Sequence, residues 1–125
     1  MVVGIGIDVV ETARLTRALT AHGSRFEERV FTAGELADSA NRRDRTQALA
    51  GRFAAKEACL KALSTGIFDG VSLRQAELVS SETGAPQLRL TGALAERARL
   101  RGVRSVYVSV THEVGIAAAV VLLES

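Results

Sequence analysis

The sequence predicts an α+β fold: an antiparallel sheet packed around one long central helix, in a single domain spanning residues 1–125. Three stretches carry that expectation. Leu49 to Leu63 is built from Ala, Leu, Lys and Glu, which lose little entropy in a helical backbone. Val2-Val3-Gly4-Ile5-Gly6-Ile7 is a short β-branched run. Val106 to Val110 alternates apolar and polar, and Gly115 to Leu123 is almost wholly apolar, as paired strands are. Helix-period and strand-period segments follow one another in a chain long enough for one real core and too short for two.

In chain order, Met1 to Val10 reads as a strand that ends in Asp8-Val9-Val10. Its apolar character on both faces predicts cover on both sides. Gly4 and Gly6 predict the close approach of another backbone or a ligand. Glu11 to Leu19 is a short amphipathic helix with Leu15 and Leu19 inward, ending near His22-Gly23. Ser24 caps a second helix that buries Phe26 and Val30. Thr32-Ala33-Gly34-Glu35 has capping-box spacing and opens a third helix toward Ala40. Asn41 to Arg45 is a basic lead into the central helix, and Gly66 is its expected C-terminal cap.

The second half is richer in strands. Ala76 to Val79 and Gln87 to Leu90 flank a turn through residues 81–86. Residues 91–102 hold a helix, and Thr111 to Val114 forms a tight polar connection between the last two strands. Tyr107 and Cys59 read as packing groups.

Composition narrows the function. Hydrophobic residues make up 47%, charged residues 24% and aromatic residues 4%, and the formal charge is +2. That balance argues against nucleic-acid binding, which wants basic surface and stacking rings. The basic residues are uneven, however. Arg14, Arg17, Arg25 and Arg29, then Arg42, Arg43 and Arg45, gather early and offer a face to an acidic partner. The single cysteine excludes an internal disulfide and fits a reducing, cytoplasmic setting. No leader or membrane-length apolar run is evident.

Placed on a 100° wheel, Leu49, Phe53, Leu60, Leu63 and Ile67 fall within roughly 40° of one line. Lys56 falls on that same line, so its charge must snorkel, be paired, or face an anion. Two readings of Asp8 and Glu57 stay open. They either converge on a divalent cation, or Asp8 is a cap-like residue and Glu57 pairs with Lys61 one turn on. Arg52 and Lys56 share a face and, with Lys61, suit phosphate. His112 is either a binding group in a turn or surface decoration.

Taken together, these stretches resemble a known family. Residues 4–11, Gly-Ile-Gly-Ile-Asp-Val-Val-Glu, are similar to the N-terminal signature of the holo-[acyl-carrier-protein] synthases. Arg52-Phe53-Ala54-Ala55-Lys56-Glu57-Ala58, with Lys61-Ala62-Leu63 and Thr65-Gly66, resembles their central signature. Gly84-Ala85-Pro86 and Val108 to Glu113 fit as well. Ser64 departs where a glycine is common, Thr111 where serine is frequent, and Cys59 where a larger residue is usual.

The resemblance implies a 4'-phosphopantetheinyl transferase. Such an enzyme moves the phosphopantetheine arm of coenzyme A onto a serine of apo acyl carrier protein and releases adenosine 3',5'-bisphosphate. It implies Asp8 and Glu57 as ligands of Mg²⁺ (Mn²⁺ being an alternative), with Asp8, Glu57 and Lys61 catalytic. Glu57, directly or through a metal-bound water, would deprotonate the carrier serine, and Lys61 would assist the leaving phosphate. Arg52, Lys56, Gly84, Pro86 and His112 are the implied coenzyme-binding residues. Arg14, Arg17, Arg25 and Phe26 are the implied carrier-docking residues. A homotrimer with sites between subunits is implied too. The alternative is a non-catalytic coenzyme A or carrier-protein binding module of the same fold.

Overall fold

The computed structural model describes residues 1–66 and 69–125, so Ile67, the last member of the apolar line, lies outside the described residues. Strand β1 (Val2–Glu11) leads into helices α1 (Thr12–His22), α2 (Ser24–Val30), α3 (Ala33–Ala40) and α4 (Arg45–Ala62). A 3-10 turn at Leu73–Gln75 precedes the hairpin β2 (Ala76–Ser80) and β3 (Pro86–Leu90). Helix α5 (Gly92–Leu100) and the hairpin β4 (Ser105–Glu113) and β5 (Ile116–Glu124) complete the chain.

The strands form two antiparallel sheets rather than one: β1-β5-β4, and the separate pair β2-β3. Helix α4 lies on the larger sheet and also touches α1, α3 and β2. It is therefore covered on most sides. Its small residues Ala50, Gly51, Ala54, Ala55, Ala58 and Ala62 are buried along with Leu49, Cys59 and Leu60. Phe53, expected in the core, is only half-buried and stacks on Phe26 at 6.4 Å between centroids.

The two β1 glycines explain how close the helix comes. A Cβ on Gly4 would lie 2.2 Å from the Ala62 carbonyl oxygen, and one on Gly6 would lie 2.0 Å from that of Ala58. Only a hydrogen fits at either place. Arg101 then clips the end of α4 to β1, donating to the Ala62 oxygen at 3.2 Å and to the Val3 oxygen at 2.8 Å. These are carbonyls that a helix end and a strand edge would otherwise leave open.

Several expectations change at this level. The left-handed residue that ends α4 is Ser64 (φ 53), with Thr65 N–H donating to the Leu60 oxygen at 2.9 Å. Gly66 is not the cap. The helix needs its reversal two residues earlier, and serine tolerates there a conformation that glycine adopts more easily. Thr111, His112 and Glu113 belong to β4, and the turn is Val114-Gly115, where Gly115 takes φ 80. β1 is covered on one face only. Ile5, Ile7 and Val9 stand on the opposite face, each more than half exposed, and Tyr107 lies on that face beyond β5. Tyr107 is therefore not packed in the sheet's interior. It is half-exposed and donates to Glu124.

Candidate active site

Strand alternation puts Gly4, Gly6, Asp8 and Val10 on the helix-facing side of β1. Asp8 is thus aimed at the exposed edge of α4 that carries Glu57 and Lys61. Lys61 Nζ donates to the Ile7 carbonyl at 3.0 Å and to Asp8 Oδ1 at 3.2 Å. Glu57 lies half-buried beside them. Burial and then the Asp8 charge push its carboxyl above the usual carboxylate range, while Lys61 pulls the other way. Asp8 and Glu57 share the wall of a cavity of about 340 Å³ with Arg14, Leu15, Phe26 and Phe53.

Phe26 links that cavity to a smaller one, of about 210 Å³, lined by His22, Arg25 and Arg29. Arg14 and Arg25 are exposed, and so is Arg17, which lines neither cavity. His22, at the end of α1, belongs to this basic rim.

A larger cavity, of about 510 Å³, opens near the N-terminal end of α4. Arg52, Gly84, Pro86 and His112 all line it, joined by Arg42, Arg43, Gln47 and the β2 residues Leu78 to Ser80. Gly84 has φ 86, and the turn it makes brings Pro86 to the rim. His112 reaches this cavity because its strand crosses α4 at Gly51, where a Cβ would meet His112 Nε2 at 2.7 Å. Sequence reasoning missed Arg42 and Arg43 as cavity residues. Their position just before the Asp44 cap was the available signal, since a helix start attracts anions.

Lys56 is the clear correction. It is fully buried and lines neither cavity. Its amine bonds Glu35 Oε1 at 2.5 Å, the Leu73 oxygen at 3.0 Å and the Ala76 oxygen at 2.9 Å, filling all three donor positions. Burial draws its pKa down, against the pull of Glu35. Glu35 is equally buried and accepts from Thr32 N at 3.0 Å and Leu78 N at 2.9 Å. Lys56 is paired in the core rather than facing a phosphate. Cys59, next along the helix, has its thiol pushed up to about 12 by burial. That makes it unreactive packing.

Among the described residues, no group of three or more His, Cys, Asp or Glu side chains is placed to hold a metal. The two-carboxylate set of Asp8 and Glu57 offers hard oxygen donors only. No helix among the described residues is long and apolar enough to cross a membrane.

Comparison with known proteins identifies the family. The 4'-phosphopantetheinyl transferase superfamily matches residues 4–119. The holo-[acyl-carrier-protein] synthase of Desulfovibrio desulfuricans is 46% identical over 125 residues, covering 100% of this chain and 99% of the relative. The crystal structure of that enzyme from Neisseria meningitidis superposes with a TM-score of 0.91 at 34% identity, covering all of both chains. The Helicobacter pylori enzyme in complex with coenzyme A superposes with a TM-score of 0.84 at 32% identity, over 96% of this chain and 99% of that one. With two carboxylates and a lysine gathered where β1 meets α4, and the match running almost end to end, this chain belongs to the 4'-phosphopantetheinyl transferase superfamily.

Proposed function

We propose that residues 1–125 form one transferase domain that moves the 4'-phosphopantetheine group of coenzyme A to a serine of apo acyl carrier protein. Holo carrier protein and adenosine 3',5'-bisphosphate are the products. The observation that carries this reading is that Asp8 and Glu57 share one cavity wall beside Arg14 and Phe26, with Lys61 bonded to Asp8 at its edge. A binding module of the same fold has no need of that complete set.

The serine hydroxyl oxygen attacks the phosphorus that bears pantetheine. The bond from that phosphorus to the bridging oxygen breaks, and the 5'-phosphate of the nucleotide leaves. Glu57, on the cavity wall, takes the serine proton. Lys61, held at Asp8, supplies positive charge and a proton to the leaving phosphate. Asp8 and Glu57 fit Mg²⁺ or Mn²⁺, because two mutually repelling carboxylates are relieved by a hard divalent cation. When bound, that ion neutralises pyrophosphate charge. No side-chain nucleophile is required, since the carrier brings its own. Arg52, Arg42, Arg43 and His112 neutralise coenzyme phosphate in the larger cavity, with Gly84 and Pro86 at its rim.

The two cavities share no lining residue. One coenzyme bridges them if the second comes from a neighbouring copy, as in a homotrimer with sites between subunits. The apolar sheet face of Ile5, Ile7 and Val9 supports that assembly, being too apolar to be left in water. Ile7→Glu should convert a three-chain species into single chains by light scattering, with loss of transfer. A three-chain mass for this variant would reject the interface. A reducing cytoplasmic setting fits the buried, unpaired Cys59.

Carrier docking is assigned to Arg14, Arg17, Arg25 and Phe26, a basic surface around an aromatic ring that suits an acidic helix. Arg14→Glu should raise the KM for carrier about ten-fold, because an attraction to the acidic helix becomes a repulsion. The KM for coenzyme A should stay within two-fold. The opposite pattern would reject the docking surface. The activity itself is tested by incubating the protein with apo carrier, coenzyme A and Mg²⁺ and weighing the carrier by mass spectrometry. A carrier that gains no phosphopantetheine mass overturns the proposed function.

A further inference from the structure

Arg52 is unusual among the cavity cations. Its side chain is 9% exposed, whereas that of Arg42 is 51% exposed. A guanidinium so far from water must be satisfied by the protein. Arg52 Nη1 donates to the Ala48 carbonyl one turn back at 3.0 Å. Its Nη2 is bound by the carboxylate of Asp38, from α3. Its Nε is buried and has no partner among the described residues. Asp38 Oδ2 also accepts from Arg42 Nη2 at 3.2 Å. One oxygen on α3 therefore joins two arginines of the coenzyme cavity, while Asp38 itself is not part of the lining.

An acid beside a phosphate site is the reverse of what simple charge balance wants. Coulomb's law alone says that removing Asp38 should tighten anion binding. Burial argues for the opposite. Arg52 has only one other acceptor among the described residues, and with Asp38 gone a side chain that is itself 9% exposed is left partly unpaired. It would turn toward solvent and leave the cavity wall. A fixed arginine needs a fixed acceptor, and a flexible one loses affinity through the entropy of ordering it.

Resting on the coenzyme-cavity reading above, we propose that Asp38 is a positioning residue: by bridging Arg42 and Arg52 it holds the Arg52 guanidinium in the cavity wall, so that coenzyme phosphate meets an already oriented cation. Asp38 touches neither substrate nor reacting atoms. Its loss acts on coenzyme recognition and not on the chemical step.

The test is a double-mutant cycle on the assembled enzyme, with carrier saturating and coenzyme A varied. Arg52→Ala, Asp38→Asn, Asp38→Ala and the Asp38→Ala/Arg52→Ala pair are compared with the wild type, and each is checked by its melting curve. Arg52→Ala should raise the KM for coenzyme A. Asp38→Asn and Asp38→Ala should each raise it about ten-fold, the scale of one charged hydrogen bond, with kcat within two-fold. Asp38→Glu should recover part of the loss. The pair should be no worse than Arg52→Ala alone, because Asp38 has nothing left to hold. An unchanged or lowered KM in the Asp38 variants, with Arg52→Ala still impaired, overturns the positioning role and leaves the cavity reading standing. Additive losses in the pair overturn it as well. An Arg52→Ala enzyme with wild-type KM overturns the cavity reading itself, and the proposal with it.

Discussion

Glu57→Gln lowers the rate of phosphopantetheine transfer by about three orders of magnitude, the middle of the range that a positioned proton acceptor contributes. Glutamine keeps the shape of the side chain and its place on the cavity wall. It removes the charge that opposes Asp8 and the group that accepts the serine proton. The fold should not suffer, because burial and the Asp8 charge already work against the ionised carboxyl in the native state. A calorimetric melt of the variant should therefore match or slightly exceed the wild type. Single-turnover transfer, followed by mass spectrometry of the carrier, measures the chemical consequence. Wild-type rates in a folded variant would remove Glu57 from the mechanism.

Lys56→Met destabilises the folded protein by about 4 kcal/mol, the cost of stranding one member of a buried ion pair. For a chain of this size that is a fall in Tm on the order of 15 °C. The penalty comes from Glu35, which stays buried with its charge unopposed, and from the Leu73 and Ala76 carbonyls that are left without their donor. Lys56→Met combined with Glu35→Leu should recover much of the loss, since an apolar pair of similar volume carries no uncompensated charge. Melting is compared at equal chain concentration, because assembly adds its own stabilisation. At a temperature where Lys56→Met is folded, its KM for coenzyme A should be near that of the wild type. A large KM effect without a stability change would return Lys56 to the binding site.

These two neighbours show what sequence can and cannot tell. The wheel identifies Lys56 as a charge on the apolar line, and it is indeed buried. It cannot tell a paired core lysine from a phosphate-facing one, because the deciding partner, Glu35, sits on a different helix. Capping-box spacing does mark Glu35, as the group that caps α3. That its second oxygen reaches across to Leu78 is a tertiary fact. Asp8, Glu57 and Lys61 are legible through motif spacing, since strand alternation and one helical turn are enough to bring them together. The pattern of β1 reads as cover on both faces, yet one face is open. An apolar period reports what must leave water, and it does not say whether the same chain or another copy supplies the cover. Polar Thr111 and Glu113 make the residues around His112 look like a turn, although all three extend the strand.

The absent side chains of Gly4 and Gly6 have a consequence at the site. Ordinary contact would keep a methyl at least 3.4 Å from a carbonyl oxygen, whereas the gaps here are 2.2 Å and 2.0 Å. A single methyl at either position has to lift α4 off β1 by about an ångström, the scale of misplacement that costs an active site on the order of a hundred-fold. Asp8 rides on the strand and Glu57 on the helix, so the distance between the two carboxylates is a machining tolerance, set by two hydrogen atoms that belong to neither of them.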